Sequence, residues 1–284
     1  MSKRIISAFL AALLAAASVS VVASAEETEI NPSGAPEIKF KEVFAKNNSS
    51  TALSSDGGVY SWGGGSSADV DYSYLATPIK SLDNVSYLTE YGNSYYNSNY
   101  FAVTNDGVLY VWDSYNSNYS YRPEKKLENV ASASVASDHG AAITYDGSLY
   151  AWGSNYYGQL GDGTTYSKTD PVKIMDDVAS VSVISGFTAA VKNDGSLYTW
   201  GYNDNGMVGD GSNENTYTPT KVMDNVESVS VATYSIGAVT KDGSLYTWGQ
   251  NNYGQLGDGT KEDRYTPKKI LDNVSSVKLA DYGT

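Results

Sequence analysis

NDGSLYTWGYNDNGMVGDGS (193–212) and KDGSLYTWGQNNYGQLGDGT (241–260) are two copies of one phrase, and YDGSLYAWGSNYYGQLGDGT (145–164) is a third. Shorter versions stand upstream as SDGGVYSWG (55–63) and NDGVLYVWD (105–113). Their tryptophans, Trp62, Trp112, Trp152, Trp200 and Trp248, are all the tryptophans of the chain, at spacings of 50, 40, 48 and 48 residues. Self-similarity at a period of this size marks a repeat architecture, in which each unit buries its apolar surface against its neighbours.

One period reads as β structure throughout. Asp-Gly between two apolar runs is a strong hairpin signal, expected as a type I′ turn with positive φ at both central residues. In the fourth unit Thr188 to Lys192 forms the incoming strand and Ser196 to Trp200 the outgoing one. Tyr198 and Trp200 are two residues apart and share one face, while Leu197 and Thr199 share the other. Apolar groups on both faces predict a strand covered on both sides by neighbouring sheets. A Val-rich run precedes each hairpin (Val178 to Val183, Val226 to Val231), and a Pro-led strand and an Asp-Asp or Asp-Asn turn precede that run. Four short strands per period, with no helical periodicity after the leader, predict an all-β propeller of four-stranded antiparallel blades.

The loops after the tryptophans extend the pattern to WGSNYYGQLGDGT (152–164), WGYNDNGMVGDGS (200–212) and WGQNNYGQLGDGT (248–260). Here the chain closely resembles the regulator of chromosome condensation repeat family, over residues about 38 to 284. The resemblance implies a β-propeller, usually of seven blades. It also brings the family's best-known role, nucleotide exchange on a small nuclear GTPase beside chromatin. The first two units depart from the pattern: their loops read GGGSSADVDYSYLATP (63–78) and DSYNSNYSYRP (113–123), without GQLGDG. Family repeats often carry Gly-x-His-Thr ahead of the hairpin; only His139 remains, with Phe187 and Ser235 at the equivalent offset. Val274 to Ala280 aligns with Val178 to Val183, so 38–284 is expected to hold five repeats and to stop inside a sixth. Either the strands at its ends let five blades close, or the chain is a truncated piece of a seven-bladed propeller.

The start of the chain has a different character. Lys3 and Arg4, an apolar run from Ile5 to Val22 and Ala23-Ser24-Ala25 read as a secretory signal peptide over 1–25, followed by a linker over 26–37. Secretion argues against the nuclear role. Beyond Ala25 the chain keeps 17 basic and 32 acidic side chains, a formal charge of −15. Such acidity repels nucleic acid and anionic membrane surfaces, so neither is an expected partner, and no membrane contact is expected after leader cleavage. The absence of Cys removes disulfides, thiol nucleophiles and Cys-based metal sites.

Candidate chemistry is sparse. Asp162, Asp210 and Asp258 recur in the glycine-rich loops, yet no segment has the ligand alternation of a calcium loop or the Lys-Ser/Thr of a phosphate loop. Tight inter-blade turns account for the same residues. His139 lacks a triad around it and is expected to make a structural hydrogen bond near a blade turn. No catalytic, metal-binding or cofactor-binding residue is expected. Tyr60, Tyr110, Tyr150, Tyr198 and Tyr246, paired with the five tryptophans, read as inter-blade core. The other tyrosines cluster among Asn, Ser and Gly in the first two units. Tyr72, Tyr74, Tyr95, Tyr96, Tyr100, Tyr115, Tyr119 and Tyr121 are therefore the candidate partner-binding residues, by the chemistry of binding loops.

The sequence thus predicts a secreted or cell-surface binding scaffold without catalysis, its partner another protein. Carbohydrate or cell-wall binding through the same rings is the alternative. Inhibition of a secreted enzyme, as by a bacterial β-lactamase inhibitor that this fold resembles, is a third.

Overall fold

The computed structural model describes residues 38–46, 49–63, 77–94, 97–113 and 123–279; the expected leader and linker lie outside them. Among the described residues twenty strands form five sheets. The first is β1 (Phe40–Lys46), β2 (Ser49–Ser54), β3 (Val59–Gly63) and β4 (Ile79–Leu82). The second is β5 (Val85–Ser94), β6 (Asn97–Thr104), β7 (Leu109–Asp113) and β8 (Glu124–Leu127), and the third is β9 (Val130–Val135), β10 (His139–Thr144), β11 (Leu149–Gly153) and β12 (Lys168–Met175). The fourth is β13 (Val178–Ile184), β14 (Phe187–Lys192), β15 (Leu197–Gly201) and β16 (Thr216–Met223). The fifth is β17 (Val226–Ala232), β18 (Ser235–Thr240), β19 (Leu245–Gly249) and β20 (Arg264–Leu271). Each sheet is an antiparallel meander in chain order, the blade of a propeller. Among the described residues no helix is long and apolar enough to cross a membrane.

The Asp-Gly hairpins differ from the expected turn. Gly57, Gly107, Gly147, Gly195 and Gly243 have φ between 77° and 88°, but the preceding aspartates do not have positive φ. In the third blade Gly147 N bonds Thr144 O (2.8 Å) and Thr144 N bonds Ser148 O (3.0 Å), a three-residue loop closed by a left-handed glycine. The reason is the aspartate's side chain: Asp146 Oδ1 accepts from the Thr144 hydroxyl (2.6 Å) and the Ser148 amide (3.0 Å), a local closure that a two-residue loop would not leave room for. The hairpin glycine also starts the next blade. Its carbonyl accepts from the amides of Val85, Val130, Val178, Val226 and Val274 in turn, at 2.8–2.9 Å. At the last of these the chain leaves the fifth blade as it left the other four. The Leu279 amide then reaches Ser230 Oγ (3.0 Å), as the Val183 amide reaches Ser134 Oγ (3.2 Å).

Apolar clusters fill the spaces between successive blades. Between the third and fourth lie Ala141, Ile143, Leu149 and Leu160 with Val178, Ala190 and Trp200; between the fourth and fifth lie Ala189, Val191, Leu197 and Met207 with Val226, Ala238 and Trp248. Odd and even residues of β14 therefore enter opposite interfaces, as a strand period of two requires. On β15, Tyr198 and Trp200 face the third blade and Leu197 faces the fifth.

A polar clasp spans the same interfaces. Trp200 Nε1 donates to Gln159 O (2.9 Å), and Trp248 Nε1 to Met207 O (2.8 Å), so each indole reaches into the loop of the blade before it. Gly161 and Gly209 let that loop lie flat on the ring. They have φ of +79° and +81°, and a Cβ would stand 2.6 Å and 2.7 Å from the indole nitrogen. Gly257, the third copy, has φ +75° and meets only Ile270 Cγ2 at 3.6 Å. Gly161→Ala and Gly209→Ala should each cost about 3 kcal/mol, combining left-handed strain with overpacking. Gly257→Ala should cost only the strain, about 1 kcal/mol. Urea unfolding of the three variants measures the difference.

Candidate partner-binding surface

The outgoing strands β11, β15 and β19 all finish at one end of the blades, where the turns before β10, β14 and β18 also lie. Ser154 N bonds Asp138 O, Tyr202 N bonds Gly186 O and Gln250 N bonds Tyr234 O, at 2.7–2.8 Å. This end therefore carries the loops 154–167, 202–215 and 250–263. Each loop is tied from inside by a buried asparagine. Asn155 Nδ2 donates to Asp162 Oδ1 (3.0 Å) and Thr164 O (3.0 Å), while its Oδ1 accepts from Leu160 N (3.0 Å). Asn251 repeats the pattern with Asp258, Thr260 and Leu256. Asn203 accepts from Val208 N (2.7 Å) and donates to Glu214 O (2.9 Å). The invariant asparagine of the W-G-x-N phrase was the available sequence signal for these knots.

Asp162 and Asp258 have protein cations as partners. Lys168 Nζ lies 3.4 Å from Asp162, and Arg264 Nε donates to Asp258 at 2.6 Å. Hydrogen bonds from Thr260, with the Arg264 contacts, hold the Asp258 carboxyl well below the usual carboxylate range despite desolvation. Among the described residues no three His, Asp or Glu side chains converge as metal ligands.

Beneath the loops runs a network that joins the third and fourth blades. His139 is fully buried, with Nδ1 2.9 Å from Asp138 Oδ1 and Nε2 2.9 Å from Thr188 Oγ1. Thr188 gives its own proton to Gln159 O (2.8 Å), the carbonyl that also takes the Trp200 indole. Asp138 Oδ2 accepts from Gln159 Nε2 (2.9 Å) and Gly186 N (3.0 Å). Burial pushes the Asp138 carboxyl up, but the hydrogen bond and charge of His139, with those of Gln159 and Gly186, outweigh it and hold the group below its ordinary value.

Tyrosines crown this network. Tyr157 of the third blade packs edge-to-face on Tyr202 of the fourth, with ring centroids 5.1 Å apart at 71°. Gly186 lies against them: a Cβ there would stand 3.1 Å from the Tyr157 ring and 3.5 Å from the Tyr202 Cβ. Tyr157 is 43% exposed and Tyr234, on the fifth blade, 39%. The Tyr202 hydroxyl donates to Asp204 Oδ2 (2.9 Å). Burial and then that carboxylate, with smaller effects from Tyr234 and Tyr157, push the phenol up to about 12, so it stays a neutral donor at neutral pH. Tyr157 and Tyr202 fall on variable positions of the repeat phrase and Tyr234 on the turn before β18, so no invariant residue of the repeat signals them.

Of the candidates read from sequence, Tyr72, Tyr74, Tyr95, Tyr96, Tyr115, Tyr119 and Tyr121 lie outside the described residues. Tyr100 is corrected: it is fully buried between the first two blades and stacks on Trp112, with centroids 5.6 Å apart at 23°. It sits on β6 directly opposite Trp112 of β7, a face that turns inward in every blade. Trp112, Trp152, Trp200 and Trp248 are buried, Trp62 is half-buried, and Tyr60, Tyr110, Tyr150, Tyr198 and Tyr246 are half-buried. At the opposite end a shallow cleft of about 680 Å³ beside Lys125, Lys126 and Tyr145 has its lysines already paired with Glu128, Glu124 and Asp170.

The profile of the regulator of chromosome condensation (RCC1) repeat matches residues 146–191, 194–238 and 242–284, and a second profile of the same repeat matches 130–159. The chain belongs to the RCC1 repeat family. Its fold is that of Prp20p from Saccharomyces cerevisiae, at a TM-score of 0.59 and 21% identity over 83% of this chain. It is also that of human WBSCR16, at a TM-score of 0.58 and 22% identity over 83% of this chain. The chain spans 64% of the length of the Prp20p chain and 68% of that of WBSCR16.

The network gives a pH prediction. A folded carboxyl held below its unfolded value contributes stability above the unfolded pKa of about 3.9, and that contribution disappears as pH falls through the folded value. Asp138→Asn should destabilise the chain by about 2 kcal/mol at pH 7. The urea midpoints of variant and parent should converge as the pH falls below the ordinary carboxylate range, through the lowered folded value.

Proposed function

We propose that this chain is an exported, non-catalytic scaffold that binds a protein partner at or outside the cell surface, through the loop end of its blades. The observation that carries the reading is the Tyr157–Tyr202 pair with Tyr234: aromatic rings half-open to solvent, on loops fixed by buried asparagines. Rigid tyrosines offer large amphipathic contact area at little entropic cost, and pre-ordered loops lower the cost of binding further. Residues 1–25 support export. The Tyr-rich stretches of the first two units follow β3, β5 and β7 in the chain, and Tyr72, Tyr74, Tyr95, Tyr96, Tyr115, Tyr119 and Tyr121 lie outside the described residues. Prp20p is described with binding properties to Gsp1p and histones, and yeast RCC1 (Prp20) bound to Kap60, so the fold supports protein recognition in those relatives. The edge-to-face packing favours this reading over sugar stacking, which asks for an open, flat ring face.

Panning a phage-displayed random peptide library on the immobilised chain tests the proposal. Enriched peptides should bind the Tyr157→Ser/Tyr202→Ser variant about 30-fold more weakly, the loss expected of an aromatic anchor. They should bind Tyr145→Ser, changed at the opposite end, as they bind the parent. Enrichment indifferent to Tyr157 and Tyr202 refutes the surface.

A further inference from the structure

One carboxylate is tied to both rings of the Tyr157–Tyr202 pair. The fully buried Gln159 accepts the Tyr157 amide on its Oε1 (3.0 Å) and gives its Nε2 to Asp138 Oδ2 (2.9 Å). The same Oδ2 accepts the Gly186 amide (3.0 Å), and Gly186 O accepts the amide of Tyr202 (2.8 Å). Asp138 thus stands two hydrogen bonds from the backbone of each ring, one ring on either side of the blade boundary. Its other oxygen is held by the buried His139 ring at 2.9 Å. The fifth blade repeats only half of the arrangement. The stretch YGQLGDGT is the same at 157–164 and 253–260, and Gln255 Oε1 accepts the Tyr253 amide (3.0 Å). The position of Asp138, however, is filled there by Tyr234, which has no carboxylate. Tyr253 is 76% exposed and Tyr157 43%, so an identical loop does not by itself fix its tyrosine. In the fourth blade the glutamine position is Met207 and the Tyr157 position is Asn205.

We infer that Asp138 is the positioning residue of the partner-binding surface: through Gln159 and Gly186 it holds Tyr157 and Tyr202 against each other before a partner arrives. This rests on the proposed binding function and says what sets the geometry of that surface. A carboxylate suits the task because one oxygen accepts two donors at once, here one from each blade. Charge on the acceptor also makes these bonds stronger than neutral ones. Rings ordered in advance spare the partner the cost of immobilising them, which is the way second-layer hydrogen bonds make a contact surface precise.

The test reads the free chain first and the panned peptides second. In perdeuterated full chain with protonated tyrosines, assigned with Tyr157→Phe and Tyr202→Phe, the two rings should show a nuclear Overhauser contact. Gln159→Met installs the residue that the fourth blade carries at the same position and keeps the main-chain carbonyl that Trp200 and Thr188 use. It should stay folded, lose the ring contact and bind the peptides roughly fivefold more weakly, the cost of ordering one side chain on binding. Asp138→Asn should lose the contact and weaken binding roughly 25-fold, the product for two rings. Gln255→Met, the same change in the fifth blade, should leave the ring contact in place and alter binding less than about twofold. A ring contact that survives Gln159→Met overturns the inference, as does a peptide loss that is equal in Gln255→Met. So does a urea midpoint that falls as far in Gln159→Met as in Asp138→Asn, because the glutamine would then hold the fold and not the rings. If the peptides require Tyr157 and Tyr202 but bind Gln159→Met and Asp138→Asn like the parent, the positioning role is wrong and the scaffold stands. If panning yields nothing that needs those tyrosines, the scaffold reading itself fails, and the positioning role with it.

Discussion

A tryptophan indole donating into the loop carbonyl of the preceding blade is the contact on which the rest depends. Trp200 to Gln159 and Trp248 to Met207 each join residues 41 positions apart, and each brings a large ring into an apolar cluster while satisfying its one polar atom. Burying an indole without that bond would forfeit part of the gain. The clasp also dictates the loop. Its backbone must lie against the ring, so glycine occupies the contact, and an asparagine inside the loop must hold it in shape. Much of the repeated phrase therefore serves the neighbouring blade.

Where the loop phrase is lost, the packing changes. Trp152 follows the second blade, whose loop lacks GQLGDG, and its Nε1 has no partner among the described residues. The ring packs instead near Phe101, with centroids 6.5 Å apart, and over Gly140, where a Cβ would lie 2.5 Å from it. Apolar area substitutes for the polar clasp, and Gly140 is the concession that makes room. The preceding boundary, between the first two blades, carries Tyr100 and Trp112 stacked inside, so aromatic residues pack on both sides of the second blade.

The candidate surface follows from this core without being encoded by it. Asp138, Gly186 and Tyr234 occupy one structural position in three successive blades, as the amide bonds of Ser154, Tyr202 and Gln250 show. In the third blade the position holds an inter-blade polar network, in the fourth it gives space for the Tyr157 ring, and in the fifth it presents a ring itself. Geometry is constant while chemistry drifts, which is how a rigid repeat acquires a specific face.

The strand period and the two-sided burial of β15 were legible in the sequence because each depends on residues two positions apart, and the five repeats because one phrase recurs every 40 to 50 residues. The hairpin geometry was only partly legible. Asp-Gly announced a turn, but the aspartate's own hydrogen bonds to Thr144 and Ser148 set its length. The tyrosines of the candidate surface were the least legible. Composition could not separate Tyr100, buried against Trp112, from Tyr157, open beside Tyr202, since both lie in Tyr-, Asn- and Ser-rich stretches. By itself the sequence determined a repeated four-stranded unit with Tyr and Trp on one strand face. Only the tertiary structure decided which rings face a neighbouring blade and which face solvent, because that depends on contacts between blades more than 40 residues apart.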